Sequence, residues 1–226
     1  KFEKEGEKNL VLLGIAALED PPRAEVFSAL RECIRGGISV KMITGDHKET
    51  ALSIAQQIGL KGRVITGLEL DAISDSELEN RVYDIGIFAR VRPEHKLRIV
   101  NALKNKGEIV TMTGDGVNDA PALKAAHIGV AMGKSGTDVS RSVADITLND
   151  DNFSTIVEAV REGRTIFNNM RKFITYQISC NFAEITIIFL GIILGLPLPL
   201  LAIQILFMNM VTDDIPAITL GLNPSS

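Results

Sequence analysis

The sequence has few cysteines and no cluster of basic residues, and each shortage excludes a class of function. Cys33 and Cys180 fall in stretches of very different composition, so we expect free thiols in a cytosol-facing protein rather than a disulfide scaffold. Lysine and arginine are dispersed along ordinary helix faces of the soluble part, so no nucleic-acid partner is expected. The chain begins with neither Met nor a targeting segment, which suggests a piece of a longer protein.

Charge is nearly absent from the last quarter of the chain. After Lys172 the only acidic or basic residues are Glu184, Asp213 and Asp214. No proline interrupts residues 153–194, which predicts one long helix, polar in its first half and apolar in its second. A Gly-Leu-Pro-Leu-Pro turn over 195–199 then leads to a second apolar segment over 200–220.

Both apolar segments are long enough to cross a bilayer, which takes about 20 apolar residues. Arg161, Arg164, Arg171 and Lys172 precede the first span, and no Lys or Arg follows it. This asymmetry predicts an integral membrane protein with its soluble part in the cytoplasm and lipid around the spans. The alternative is a buried hairpin in the core of a soluble protein.

The first 150 residues alternate short apolar stretches with amphipathic ones, which predicts an α/β fold with a mostly parallel sheet covered on both faces. Ligands of such sheets bind at the carboxyl ends of the strands. The predicted strands are Leu10–Ala17, Ser39–Ile43, Ile85–Ala89, Glu108–Met112, Ile128–Met132 and Asp145–Leu148. The predicted helices run from Asp20-Pro21-Pro22 to Gly36, over 47–58, near 74–83, over 93–105 and over 118–126.

The most specific motif is Thr113-Gly114-Asp115-Gly116-Val117-Asn118-Asp119-Ala120-Pro121, which directly follows a predicted strand. Two carboxylates on a tight glycine turn repel each other unless a cation neutralises them. Mg²⁺ suits such a place because it binds few protein carboxylates and keeps water or phosphate oxygens as its other ligands. A second strand ends in Thr44-Gly45-Asp46, which is the same arrangement.

These strings resemble the P-type cation-transporting ATPases, a branch of the haloacid dehalogenase superfamily. The resemblance implies that Asp115 binds Mg²⁺ and that Asn118 and Asp119 position the phosphate. It implies a haloacid-dehalogenase-like phosphorylation domain over residues 1–150, a cytoplasmic stalk helix over 151–172 and two transmembrane helices over 173–222.

Further residues take their roles from the same resemblance, which implies ATP as the phosphoryl donor. Thr44 would hydrogen-bond the transferred phosphoryl group, with Gly45 and Asp46 near the nucleotide. Lys96, in the first turn of a predicted helix, would neutralise charge on the phosphoryl oxygens. Arg90 and Arg23 would help to hold ATP. His47, His95 and His127 show no metal-ligand spacing.

Three acids in apolar segments need compensation, because a charge at mid-membrane costs about 2.5–3.5 kcal/mol on insertion scales. No basic residue lies nearby, so a bound cation or a proton is the natural partner. Asn181 shares a helix face with Glu184, as Asn209 does with Thr212 and Asp213. Pro216 cannot donate to the carbonyl of Thr212, which frees that oxygen.

Asn181-Phe182-Ala183-Glu184 and the segment from Asn209 to Asp213 resemble the fifth and sixth membrane helices of calcium pumps of the sarcoplasmic reticulum type. By that resemblance Asn181, Glu184, Asn209, Thr212 and Asp213 bind the transported cation, with Ca²⁺ preferred. Asp214 departs from the pattern, which has a small residue there. A monovalent-cation pump of the sodium/potassium or proton type stays as an alternative.

The sequence has no Asp-Lys-Thr-Gly motif, and covalent phosphoryl transfer needs that nucleophile. The phosphorylated aspartate, the nucleotide-binding and actuator domains and the other membrane helices would lie outside this chain, which alone should not form a phosphoenzyme. Two other readings stay open. One is a membrane-tethered phosphatase of the dehalogenase superfamily, and the other is a non-catalytic remnant.

Overall fold

The computed structural model describes residues 11, 13–14 and 21–224. They form two compact units, one comprising 21–31 and 39–110, the other 32–38 and 111–224. The elements are, in order, α1 (Ala24–Arg35), β1 (Met42–Ile43), α2 (Lys48–Ile58), β2 (Arg63–Thr66), α3 (Gly67–Asp71), α4 (Asp75–Arg81), β3 (Ile85–Ala89), α5 (Pro93–Asn105), β4 (Thr111–Gly114), a 3₁₀ turn (Val117–Asp119), α6 (Ala120–Ala125), β5 (Ile128–Met132), α7 (Asp138–Val143), β6 (Ile146–Leu148), α8 (Phe153–Ile193), α9 (Ala202–Phe207), a π-helical segment (Met208–Asp213) and α10 (Asp214–Gly221).

The first unit is built on a parallel three-stranded sheet in the order β1-β3-β2. Every residue of the central strand β3 is buried, as expected for a strand covered on both faces. Its register shifts at Gly86, so Ile85 and Phe88 join one apolar cluster, and Ile87 and Ala89 join the other. Helices α3–α5 supply the first cluster and α1–α2 the second, which confirms the predicted helix-covered parallel sheet.

The second unit has its own parallel sheet in the order β4-β5-β6, with α6 and α7 packed on β5. The strands thus form two separate three-stranded sheets among the described residues, where the sequence suggested one. Helix α8 follows this sheet within the same unit, and α10 packs against α8.

Helix α8 has 41 residues and is therefore about 60 Å long, twice the roughly 30 Å of a hydrocarbon core. It is the one described helix long and apolar enough to cross a membrane, and only 11% of its apolar window is buried. A core helix of a soluble protein would be mostly buried, so the alternative of a soluble hairpin is not favoured. The second apolar segment is helical throughout, with a π-helical segment at Met208–Asp213.

Several predicted boundaries are wrong, each for a local reason. Helix α1 begins at Ala24 and not at the prolines, because its first backbone hydrogen bond runs from the Val26 N–H to Arg23 O, which makes Arg23 the N-cap. Strand β1 is two residues long, since only Met42 and Ile43 pair with β3. Strand β4 begins at Thr111, not at Glu108, and includes Gly114. The Glu108 N–H donates to Leu103 O, so Glu108 is part of the turn that ends α5. Of the predicted strand Leu10–Ala17, residues 10, 12 and 15–17 lie outside the described residues.

Some of the other helices and strands match the sequence prediction, and some were not predicted. Strands β3 and β5 and helix α5 have the predicted bounds, and α2 and α8 differ by one residue. Strand β2 and helices α3 and α7 were not predicted. Both cysteines are free, as expected.

Candidate functional site

The Thr44-Gly45-Asp46 turn is hydrogen-bonded to the end of strand β3. The Thr44 N–H donates to Phe88 O at 2.9 Å, and the Val91 N–H donates to Thr44 O at 3.2 Å. The Thr44 hydroxyl donates to Asp46 Oδ2 at 2.7 Å and accepts from the Asp46 N–H at 3.1 Å. The turn therefore holds a hydroxyl and an exposed carboxylate at the carboxyl edge of the sheet, where the sequence predicted them.

Arg90 lies beside this turn, directly after β3. Its backbone N–H donates to Asp46 O at 2.9 Å. Its φ of 50° lies in the left-handed region, which costs a non-glycine residue on the order of 1–2 kcal/mol. The hydrogen bond to Asp46 helps to hold this conformation, and the side chain is exposed. Thr44, Asp46 and Arg90 thus belong to one surface of the first unit.

Lys96 is half-buried in the first turn of α5, and its neighbour His95 caps that helix. His95 is 2% exposed. Its Nδ1 accepts the Arg92 backbone N–H at 3.1 Å, and its Nε2 lies 2.8 Å from Asp71 Oδ1. Because Nδ1 accepts, Nε2 carries the proton and donates to Asp71. This role of His95 was not predicted from the sequence; its place three residues after the N-cap, where a capping side chain belongs, was the available signal.

Asp71 links these groups from helix α3. The Arg92 guanidinium donates to both of its carboxylate oxygens, at 2.8 and 3.0 Å. The hydrogen bond from His95, followed by the charge of Arg92, holds the pKa of Asp71 below its usual range. Gly67 is required nearby, since a Cβ there would lie 2.3 Å from Arg90 O. Arg92, His95 and Asp71 therefore fix the turn of α5 that carries Lys96.

In the second unit, the long motif forms a loop at the carboxyl end of β4. The carbonyl of Asp115 accepts the Thr137 N–H at 2.8 Å and the hydroxyl of the buried Ser140 at 3.1 Å. The Asp115 side chain is exposed. The anchoring residues Thr137 and Ser140 begin helix α7, which the sequence did not predict.

The buried side chain of Asp119 stabilises this loop by a hydrogen bond to its backbone. It is 5% exposed, and its carboxylate accepts the Gly116 N–H at 3.2 Å. A Cβ on Gly114 would lie 2.5 Å from the Cβ of Asp119, so only glycine fits at the end of β4. Asn118 is exposed beside it.

Asp115 fits Mg²⁺ by its chemistry. It offers an exposed carboxylate on a backbone that hydrogen bonds hold in place. No group of three or more His, Cys, Asp or Glu side chains in the described part of the chain could hold a metal alone. Mg²⁺ tolerates this because it binds through one or two carboxylates plus water and phosphate oxygens.

The residues predicted to bind phosphate or nucleotide are distributed over the two units. Thr44, Gly45, Asp46, Arg90 and Lys96 belong to the first unit. Arg23, exposed directly before α1, belongs to it as well. Asp115, Asn118 and Asp119 belong to the second unit.

The apolar helices contain a small set of buried oxygens that accept no hydrogen bond from the described residues. Glu184 and Asp213 are 7% and 5% exposed. The four unpartnered buried atoms are Glu184 Oε1, Asp213 Oδ2, Asn209 Oδ1 and Gln177 Oε1. Leaving a buried polar atom unpaired costs about 1–3 kcal/mol, and more for a charged group. A ligand that supplies positive charge is the natural partner of this set.

Three of these residues are among the predicted cation ligands, and Gln177 was missed. Asn209 and Asp213 lie in the π-helical segment, a type of irregularity that is frequent at functional sites. Asn181 and Thr212 are exposed, so the structure does not bury them with the others. By contrast, the hydroxyls of Ser179 and Thr186 donate at 2.7 Å to carbonyls four residues earlier in α8.

Comparison with known proteins agrees with this geometry. The haloacid dehalogenase-like hydrolase profile matches residues 2–127, more than half of the chain. The chain belongs to the haloacid dehalogenase-like hydrolase family. A second profile, the C-terminus of cation transporting ATPases, matches residues 197–226.

Several proteins with sequences similar to this chain are named calcium-transporting ATPases. The chain is 52% identical over 221 residues to calcium-transporting ATPase 1 of Bacillus cereus, covering 96% of this chain and 25% of that protein. It is 47% identical to calcium-transporting ATPase 1 of Saccharomyces cerevisiae, covering 96% and 23%. Identity is 50% to the endoplasmic reticulum-type calcium-transporting ATPase 4 of Arabidopsis thaliana, covering 96% and 21%.

A solved structure of a zinc-transporting PIB-type ATPase in the E2.Pi state is also similar in fold. It matches with a TM-score of 0.62 at 28% identity, over 90% of this chain and 27% of that one. These similarities confirm the resemblance to P-type cation-transporting ATPases that the motifs predicted. The chain spans about a quarter of the length of the relatives that it matches.

Proposed function

We propose that this chain is the phosphorylation-domain and cation-binding part of an ATP-driven Ca²⁺ pump. The observation that carries the proposal is the set of buried, unpartnered oxygens on Glu184, Asn209 and Asp213 in helices of membrane-spanning composition. Two carboxylates match the charge of one divalent cation, and Ca²⁺ prefers oxygen ligands of this kind. The names of the relatives support Ca²⁺, and they do not favour the monovalent-cation alternative.

The phosphate residues would serve phosphoryl transfer from ATP to an aspartate outside this chain. Asp115 would hold Mg²⁺, which when bound neutralises charge on the phosphoryl oxygens. The Thr44 hydroxyl and the Lys96 ammonium would donate to the same oxygens. Asn118 and Asp119 would position the phosphate.

The nucleotide would lie against the edge of the first unit. Arg90 and Arg23 would meet the phosphates of ATP with their guanidinium groups, since both side chains are exposed. Gly45 and Asp46 would lie near the nucleotide, on the turn that hydrogen-bonds to Arg90.

We further propose the predicted domain organisation and orientation. Residues 1–150 would be cytoplasmic, 151–172 a stalk, and 173–222 two transmembrane helices. The positive charges of the stalk, with none after Lys172, support a cytoplasmic soluble part. The partners would be membrane lipid, the transported cation, the actuator and nucleotide-binding domains and the other membrane helices.

Helix α8 would carry movement of the phosphorylation domain to the cation ligands. Within the second unit, Arg164 Nη1 lies 3.0 Å from the position of a Cβ on Gly36, at the end of α1. Further along α8, the Asn169 side chain donates to Asn223 O at 2.6 Å. One helix therefore contacts the soluble part, the residues after α10 and, at Glu184, the proposed cation site.

The test is Ca²⁺-stimulated phosphorylation by ATP of the complete protein that contains this sequence. The wild type should form a phosphoenzyme only when Ca²⁺ is present. Glu184→Gln removes one charge while keeping the shape, and should need at least about tenfold more Ca²⁺ because a charged ligand contributes about 1.5–3 kcal/mol.

Thr186→Val is the matched control, because the Thr186 hydroxyl is already bound to Phe182 O. This variant should respond to Ca²⁺ as the wild type does. A wild-type phosphoenzyme that forms equally well without Ca²⁺, or an unchanged Ca²⁺ response of Glu184→Gln, would overturn the proposed function.

A further inference from the structure

Gln177 shares one property with three of the predicted cation ligands and with no other described side chain. Its Oε1 is buried and accepts no hydrogen bond, like one oxygen each of Glu184, Asn209 and Asp213. By contrast, the hydroxyls of Ser179 and Thr186 in the same span donate to carbonyls of their own helix. The unpartnered amide oxygen therefore distinguishes Gln177 from those hydroxyl side chains and makes it a candidate ligand.

The pairing of the two helical segments places Gln177 at the depth of Asp213. The segments run antiparallel, and two contacts fix their register. Near the stalk, the Asn169 side chain donates to Gly221 O at 3.4 Å. At the far end, a Cβ on Gly191 would lie 2.8 Å from the ring of Pro199.

Counting from the stalk contact gives the pairing, because both stretches are α-helical there. Gln177 lies eight residues after Asn169, and Asp213 lies eight residues before Gly221. At about 1.5 Å of rise per residue, both are therefore about 12 Å from the stalk contact.

The same register puts Glu184 deeper. Glu184 follows Gln177 by seven residues on the same face of α8, which is about 10 Å along the axis. Asn209 precedes Asp213 by four residues of the π-helical segment and lies between the level of Asp213 and that of Glu184. The unpartnered oxygens are therefore spread along the helices, with Gln177 and Asp213 nearest the stalk.

We propose that Gln177 is a further ligand of the transported divalent cation, and that with Asp213 it forms the level of the site nearer the stalk. The proposal rests on the proposed function. Ca²⁺ takes about six to eight oxygens, drawn from carboxylates and from neutral carbonyls. A neutral amide oxygen at the depth of Asp213 would add a ligand without adding charge.

The experiment uses the complete pump and measures the Ca²⁺ concentration that gives half-maximal phosphorylation by ATP. Gln177→Leu removes the oxygen and keeps the approximate volume. We expect it to raise that concentration about threefold to tenfold, as for loss of one polar contact. The thermal unfolding temperature in detergent should stay at the wild-type value. Gln177→Glu keeps an oxygen in place and should need no more Ca²⁺ than the wild type does, within about twofold.

Thr186→Val is again the control, and both of its values should match those of the wild type. If Gln177 instead only bonds to another helix, Gln177→Leu will lower the unfolding temperature and leave the Ca²⁺ response unchanged, which overturns the proposal. If Gln177→Leu does not fold, Gln177→Asn decides, because it withdraws the oxygen by one methylene and keeps the polarity. An unchanged Ca²⁺ response of a folded Gln177→Asn overturns the proposal.

The failure of this inference is separate from that of the proposed function. A wild type that Ca²⁺ does not activate contradicts the proposed function itself. A wild type that Ca²⁺ activates, together with an unaffected Gln177 variant, contradicts only the role of Gln177.

Discussion

At the scale of residues, His95 makes structural contacts that were not predicted from the sequence. It is buried, accepts the N-cap N–H of α5 through Nδ1 and donates to Asp71 through Nε2. Both bonds belong to the turn that carries Lys96. His95 is therefore a positioning residue for the proposed phosphate lysine.

Replacing His95 by leucine should destabilise the protein by about 1–3 kcal/mol, because the N-cap N–H of α5 loses its acceptor and the Asp71 carboxylate loses one of its donors. His95→Gln should lose less, since a glutamine at this position can still accept the N-cap N–H. Urea unfolding followed by circular dichroism measures both variants. The exposed His47→Leu is the control, with an expected change within about 0.5 kcal/mol. Equal stability of His95→Leu and the wild type would refute the capping role.

Asp151 is the second residue whose environment has a measurable consequence. Its carboxylate accepts the N–H groups of Lys134 at 3.0 Å and Ser135 at 2.7 Å. These bonds, that of Lys134 first, lower the pKa of Asp151 to about 2. Its φ of 53° is one that Asn tolerates as readily as Asp.

Because the folded-state pKa of Asp151 is lower than its ordinary value of 3.8, its ionised form stabilises the fold above about pH 4. That contribution should be lost as the pH falls from about 4 to about 2. Asp151→Asn should therefore be less stable than the wild type at pH 5, and the two should converge near pH 2. Unfolding free energies measured across this range test the expectation. A difference that does not change with pH would contradict it.

At the scale of elements, sequence prediction succeeded where caps and apolar runs are strong. Helix α5 begins at Pro93, which suits the first helical turn, and the apolar strand β3 is unambiguous. Strand β2 was missed because it begins with Arg63 and is only partly buried. Helix α7 was missed because it is six residues long and largely polar.

The site was predictable to a similar degree. The sequence singled out the loop at Asp115 and the acids Glu184 and Asp213 as candidates, because carboxylates next to glycines or inside apolar segments are costly without a partner. Ser140 and Gln177 were not among the candidates. Their importance depends on which atoms remain unpaired or meet after folding, and residue type alone does not determine that.

The continuity of α8 is the element-scale feature with a functional consequence. This helix runs without a break from Phe153 to Ile193. Inserting two glycines after Arg164 should break it, at a cost of about 1 kcal/mol per glycine in propensity alone. We expect the complete pump to keep hydrolysing ATP while transporting fewer Ca²⁺ ions per ATP.

Paired assays of ATP hydrolysis and vesicle uptake measure this coupling. Two alanines inserted at the same place are the control for length, because alanine preserves the helix. Tight coupling in the glycine variant would show that α8 does not transmit the movement.

At the scale of the whole molecule, the chain combines two environments that demand opposite chemistry. The two parallel sheets carry charged groups at the carboxyl ends of their strands, where phosphate can be bound and water is available. The apolar helices bury two carboxylates that accept too few hydrogen bonds. A pump unites these features, because energy from the phosphate site can change the affinity of the buried acids for a cation.

The most direct test of this account is Ca²⁺ uptake into vesicles by the complete protein with Asp213→Ala. Asp214→Ala is the comparison, because Asp214 is the exposed neighbour of the buried Asp213. We predict that Asp213→Ala abolishes ATP-dependent uptake and that Asp214→Ala retains most of it. Undiminished uptake by Asp213→Ala would contradict the assignment of the buried acids to the transported cation.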